Sequence, residues 1–233
     1  MRKSKRFKEG LAKIDLAKEY SLEEALDALL AFPKAKFDET VEMCFNLGID
    51  TKKSDQAVRG TIALPHGTGK KIRVLVIAQG DEAKAAEQAG ADYVGYQELI
   101  KKISEGWLDF DVMVATPDSM RDLGKLGKIL GPRGLMPSPK AGTVTKDVAS
   151  AVKDLKAGKI EFKADKGANV QVPIGKVSFA KEKLFENATA VITAVSKSRP
   201  SSAKGTYIKS ITLSSTMGPG LKITSREAAA ITK

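Results

Sequence analysis

The sequence is short of the residues that most chemistry needs. It has a single cysteine, Cys44, and a single histidine, His66. One cysteine forms no disulfide within the chain, which suits a reducing compartment. One Cys and one His do not make a structural zinc site of the usual kind. A Ser-His-Asp or Cys-His arrangement would have to use His66 as its base, and Pro65-His66-Gly67-Thr68-Gly69 reads as a turn instead. Aromatic residues make up only 6%, so aliphatic side chains must fill most of the core. No apolar run approaches the roughly 20 residues needed to span a bilayer. The basic stretch Met1–Gly10 lacks a following apolar signal core and a small-residue cleavage site, so the reading is a cytoplasmic protein with no membrane partner.

What the sequence does have is positive charge. Thirty-nine Lys and Arg stand against 28 Asp and Glu, a net +11, in a chain of 233 residues that is long enough for two domains. A surplus of that size favours polyanionic partners. The hydrophobic share of 42% is that of a folded protein.

The chain changes texture twice. Phe7, Leu11 and Ile14 share a helical spacing among Lys3, Lys5, Arg6 and Lys8, predicting a helix over 2–14. Ser21 and Glu24 form a capping box ahead of the apolar positions Leu22, Ala25, Leu26, Leu29 and Leu30, and Pro33 ends that helix. From Val41 to Ile49 the period becomes two, the pattern of a strand with one buried face, and 59–64 reads as its neighbour. Beyond the glycine-rich segment 65–70, Val74–Ala78 is continuously apolar, as a strand covered on both faces would be. Helical stretches over 83–89, 96–104, around Leu123 and over 148–155 then alternate with short strands at Tyr93-Val94 and 112–115. That alternation predicts a parallel sheet flanked by helices. After Gly158 the first style returns. Residues 160–163 and 170–177 read as a hairpin around Asp165–Ala168, followed by a helix over 179–194 and a last strand over 207–213. The fold class expected is therefore α/β with two domains. A discontinuous α+β domain is built from 1–66 and 160–233, and a Rossmann-like β/α domain is inserted at 67–159.

Charge divides unevenly between them. The insert carries 15 Lys and Arg against 12 Asp and Glu, a net +3, whereas the remaining 24 of 39 basic and 16 of 28 acidic residues leave +8 on the terminal halves. A nucleotide-binding insert would need glycines after its first strand, where the phosphate docks on a helix N-terminus. Here Val74–Ala78 is followed by Gln79-Gly80-Asp81-Glu82. The P-loop-like Gly67-Thr68-Gly69-Lys70 precedes the strand, and Leu64 stands where the first glycine belongs. Three further segments leave alternatives open. Gly131-Pro132-Arg133-Gly134 resembles a GXXG clamp, but Pro132 lacks the amide donor, so it is either a basic turn or a contact surface. Ser214–Gly220 is either a strand-to-strand turn or a loop whose backbone a ligand approaches closely. Phe37 either stacks on a base or covers the end of the core.

Several of these segments together resemble the L-one family of large-subunit ribosomal proteins in its bacterial form, over essentially the whole chain. The signature is Lys125–Pro137, which includes Gly131, Pro132, Arg133, Gly134, Met136 and Pro137. It is joined by Lys36–Glu42, Phe162–Gly167 and Thr216–Gly220. The resemblance implies a hinged two-domain protein without enzymatic activity or cofactors, a monomer within the large ribosomal subunit. It would bind large-subunit (23S) ribosomal RNA and form the mobile stalk near the tRNA exit site. It would also assist release of the exit-site tRNA and repress translation of its own operon by binding its mRNA. Carried over by motif, the implied RNA face holds Lys36, Phe37, Thr40, Glu42, Lys163, Asp165, Lys166, Gly167, Ser210, Thr216, Met217, Gly218, Pro219 and Gly220, with the basic Lys3, Lys5 and Arg6. Lysines there would neutralise phosphates, and hydroxyl and carboxylate groups would bond 2′-hydroxyls.

Overall fold

The computed structural model describes residues 4–224. They divide into two compact units, one of residues up to Gly69 and from Glu161 onward, the other Lys70–Ile160.

The first unit begins with α1 (Lys5–Leu11), capped by the Ser4 hydroxyl accepting from the Phe7 amide. This helix is shorter than the periodicity predicts, because Ala12 closes it and Ile14 lies beyond its end. In α2 (Leu22–Leu30) the reciprocal Ser21–Glu24 box is present, and the buried stripe is Leu22, Ala25, Leu26 and Leu29. Strand β1 (Thr40–Leu47) buries Val41, Met43, Phe45 and Leu47 and turns Thr40, Glu42, Cys44 and Asn46 the other way. It is followed by β2 (Arg59–Ala63).

The second unit runs through β3 (Val74–Ile77), α3 (Asp81–Gln88), β4 (Tyr93–Gly95), α4 (Gln97–Ser104) and β5 (Val112–Ala115). The short helices α5 (Met120–Leu123) and α6 (Gly127–Leu130) follow, and α7 (Val148–Ala157) completes it. Its three strands form a parallel sheet in the order β4-β3-β5. Alternate side chains of β3 enter different cores. Leu75 and Ile77 pack with Leu99, Ile103, Phe110 and Leu123, while Val74 and Val76 pack with Ala86, Val148, Val152 and Leu155. All four β3 residues are buried, as a strand between two helical layers requires. At the β3–α3 turn Gly80 has φ 62 and the first turn of α3 holds Asp81 and Glu82. Those carboxylates suit the helix dipole and occupy the place where a phosphate would dock.

The chain returns to the first unit through β6 (Lys159–Lys163), then β7 (Asn169–Lys176), α8 (Lys181–Lys197), β8 (Ile208–Ser215) and β9 (Leu221–Ile223). The main sheet has the order β7-β1-β8-β9, all antiparallel, and α2 and α8 pack against each other and against it. Pro173 is tolerated in β7 because that strand is an edge.

The expected hairpin of 160–163 with 170–177 is not formed. Strand β6 pairs with β2 in a separate two-stranded sheet, and β7 pairs with β1. Two backbone bonds, Asp165 N to Asn169 O (2.8 Å) and Ala168 N to Asp165 O (3.1 Å), close the turn, with Ala168 at φ 61. The partners then part, because Ala164 N donates to Val58 O while Leu47 N donates to Ala168 O. Burial explains the choice. Val170, Val172 and Ile174 of β7 all enter the core beside β1, whereas β6 buries only Phe162. The strand β9 is an addition to the predicted elements, and the segment Thr216–Gly220 is the turn that leads into it.

Candidate nucleic-acid interface

One face of the main sheet is covered by α2 and α8; the other is polar. Reading across the strands, that open face carries Gln171 and Asn169 on β7, Glu42, Cys44 and Asn46 on β1, Ser214, Thr212 and Ser210 on β8, and Lys222 on β9. These side chains are half-buried or exposed. Burial, with the charges of Asp165 and Glu42 adding to it, pushes the Cys44 thiol up, so it is a neutral thiol on this face.

At the Thr40 end of the face, four residues from three chain segments meet on the carboxylate of Glu39, which is 3% exposed. It accepts from the Ser215 hydroxyl (2.8 Å), the Met217 amide (2.9 Å) and the Ala35 amide (2.9 Å), with the Arg6 guanidinium 3.6 Å away. Burial alone would raise its pKa. The bonds from Met217, Ser215 and Ala35, with Arg6, outweigh that and hold the carboxyl below its ordinary value. Arg6 also donates to the carbonyls of Pro33 (2.5 Å) and Met217 (2.8 Å), and its guanidinium lies 5.6 Å from the Phe32 ring centroid. Thr40 and Thr216 are bound reciprocally, the Thr40 amide donating to the Thr216 hydroxyl and the Thr216 amide to the Thr40 carbonyl, both at 3.0 Å.

This lattice fixes two loops and leaves their tips outside. Phe37 is 54% and Met217 52% exposed; only Leu16 joins them as an exposed large hydrophobic among the described residues. A soluble surface usually covers such groups, and here the backbone beneath them is tied down. A Cβ on Gly218 would lie 2.5 Å from the Ser215 hydroxyl, so only glycine fits that corner.

The sequence-predicted residues fall into three places. Lys5, Arg6, Lys36, Phe37, Thr40, Thr216, Met217 and Gly218 gather at the Thr40 end, where Pro219 is buried and Gly220 exposed. At the other end of the sheet Ser210 pairs across Asn46, beside the turn of Asp165, Lys166 and Gly167, with Lys163 exposed at the end of β6. In that turn the Asp165 carboxylate accepts from the Asn169 and Gly167 amides, both at 2.8 Å, and the former above all holds its pKa low against the effect of burial. Glu42 lies between the two groups. The third place is the second unit, where Gly131, Pro132, Arg133 and Gly134 are exposed, Met136 packs on the core and Pro137 is buried. Lys3 lies outside the described residues.

Sequence reasoning missed Glu39 as the organising group. It was visible only as one acid in Lys36–Glu42, since its partners Ser215 and Met217 lie 176 and 178 residues further on. The polar row Cys44, Gln171 and Thr212 was missed as well, although the alternation of β1 signals one such row.

Residues 29–219 match the Ribosomal protein L1p/L10e family. The chain is also 56% identical over 227 residues, 97% of its length and 96% of the relative's, to the Large ribosomal subunit protein uL1 of Protochlamydia amoebophila (strain UWE25). A mixed α/β chain with one covered and one open sheet is thereby placed in a class, the ribosomal proteins. Within that class, this chain belongs to the Ribosomal protein L1p/L10e family.

Proposed function

We propose that the chain is a structural protein of the large ribosomal subunit that grips folded 23S ribosomal RNA with the open face of its first unit. The observation that carries this reading is the pair of exposed apolar tips, Phe37 and Met217, held by the lattice of buried Glu39 and half-buried Arg6 at the edge of a polar sheet face. Such a surface is ready before the RNA arrives, so little ordering entropy opposes binding. Phe37 and Met217 pack dry against the sugar–base layer, Lys36 and Lys163 neutralise phosphates, and Glu42, Ser210 and Thr216 bond 2′-hydroxyls. Recognition is by the shape of the folded RNA, with base readout secondary.

The same reading makes the protein cytoplasmic, monomeric within the subunit, and without enzymatic activity. Residues 1–66 with 160–233 act as the RNA-binding domain, 67–159 is an inserted domain, and the bound protein forms the mobile stalk near the tRNA exit site. There it assists release of deacylated tRNA. By taking a similar fold in its own operon's mRNA, the first unit represses translation.

The test is binding of the purified protein to the large-subunit stalk RNA at two salt concentrations, with duplex DNA of equal length as competitor. Tight, DNA-resistant binding is expected, with a log K against log salt slope of roughly −4 to −5 for six neutralised phosphates. Binding that DNA displaces equally well removes the proposal.

A further inference from the structure

The open sheet face does not end at Ser210. Past the end of β1 lies a cleft of about 730 Å³ whose lining includes Gly48, Asp50, Lys53, Lys204, Thr206 and Lys209. Three features of its construction are unexplained by the core.

The first is a bulge. Asn46 opposes Ser210 and Leu47 opposes Ile208, so Lys209 is the extra residue of β8 and is re-aimed out of the ladder. The second is the floor. Gly48 donates to the Tyr207 carbonyl at 2.6 Å, and a Cβ on it would lie 2.1 Å from the Thr206 carbonyl oxygen and 3.5 Å from Cε of Lys209. Glycine therefore lets the 204–206 loop and the Lys209 stem close down on the strand end. The third is the bracing of the walls. Arg199 donates to the carbonyls of Ala203 and Gly205, both at 3.0 Å and on either side of Lys204. Gln56 bridges from the Asp50 amide (2.7 Å) to the Ser202 carbonyl (3.3 Å).

Lys53, Lys204 and Lys209 are exposed, and among the described residues none of the three has an ion-pair partner. The one acid in the lining, Asp50, has an oxygen engaged by the Lys52 amide at 3.1 Å. The cleft is thus a braced cationic surface. It is continuous with the proposed RNA face, because the Thr51 hydroxyl donates to the Lys166 carbonyl at 2.9 Å. The eight residues of β1 put its centre about 25 Å from the Met217 end, several nucleotides away along a strand.

We infer that the cleft of Lys53, Lys204 and Lys209 takes the sugar–phosphate backbone of the same RNA gripped at the Met217 end, making the binding surface two-ended. This rests on the RNA-binding reading above. The test is a triple variant, Lys53→Gln with Lys204→Gln and Lys209→Gln, titrated with intact large-subunit ribosomal RNA over a salt series. Met217→Asp and equal-length duplex DNA run alongside it. The substitutions are all on exposed side chains, and a thermal melt checks that the fold is retained. The triple variant should lose roughly 2 to 3 of the log–log salt slope and bind about 10- to 100-fold more weakly at moderate salt. In the wild-type complex the three lysines should also be protected from acetylation. Wild-type slope and affinity with equal acetylation overturn this inference alone, while loss on Met217→Asp keeps the parent reading. Wild-type protein that does not bind the RNA removes both. An equal slope change on duplex DNA makes the cleft a generic polyanion surface and also overturns the assignment.

Discussion

The two larger sheets of this protein are solutions to different problems. In the second unit β3 lies between two helical layers, and both sets of its side chains are buried. In the first unit α2 and α8 cover one face of β7-β1-β8-β9 and leave the other polar. A sheet covered on both sides has no face left for a macromolecule, so any large contact of the second unit must use its loops or the outer faces of its helices. A sheet covered on one side offers a broad, rigid, polar plane. The difference teaches that the binding plane can be found by asking where alternation is kept and where it is lost.

That contrast can be broken by substitution. Leu75→Ala, at a fully buried site in the doubly covered sheet, should destabilise the second unit by about 3 kcal/mol while RNA affinity stays near wild type. Denaturant unfolding and filter binding on one preparation check both halves, and a parallel loss of RNA affinity would show the units are not independent. Met217→Asp should do the reverse, weakening RNA binding about 100-fold with the melting temperature nearly unchanged, since its side chain is exposed.

Glu39→Gln sharpens the link between lattice and plane. It leaves Arg6 without its carboxylate and one of several donors without a proper acceptor. An expected cost of about 2 kcal/mol to the first unit goes with a roughly tenfold loss of RNA affinity. Isothermal titration and thermal melts report the two effects, and retention of both would remove Glu39 from its organising role.

The smallest effect is electrostatic and sits in the second unit. Asp111 is held down to about 2, first by the hydrogen bond from Lys70 (2.7 Å) and then by the Arg73 amide and guanidinium, with burial opposing. Its folded value lies below the ordinary 3.8, so the stabilisation is fully present above that value and is lost as pH falls toward 2. Asp111→Asn should cost about 1 kcal/mol at neutral pH and flatten the acid limb of the second unit's unfolding curve, followed by Trp107 fluorescence. An unchanged acid limb would mean the pair is screened out.

Much of this was legible from residue order, and the exceptions share a cause. The alternation in β1, the Ser21–Glu24 box and the apolar run of β3 report local periodicity or burial on both faces, and each appears where the pattern puts it. The 160–163 and 170–177 segments looked like a hairpin because a turn signal joins them. Pairing is decided by which neighbour buries Val170, Val172 and Ile174, and that neighbour is β1, more than 120 residues earlier. Strand β9 was missed because three residues carry too little periodicity. Among the site residues, family likeness named Phe37 and Met217, but nothing in the order of residues showed that Glu39 holds the Met217 loop.

By itself, then, the sequence determined the charge, the two textures of the chain, the elements with strong periodicity and the family. These depend on composition and on neighbours within a few turns or strand steps. Tertiary structure alone decided the strand partners, the exposure of Phe37 and Met217, the Glu39 lattice and the gathering of Lys53, Lys204 and Lys209. Each of these sets the burial or position of a group by segments roughly 100 to 200 residues apart in the chain, and no local pattern encodes which distant surface will arrive.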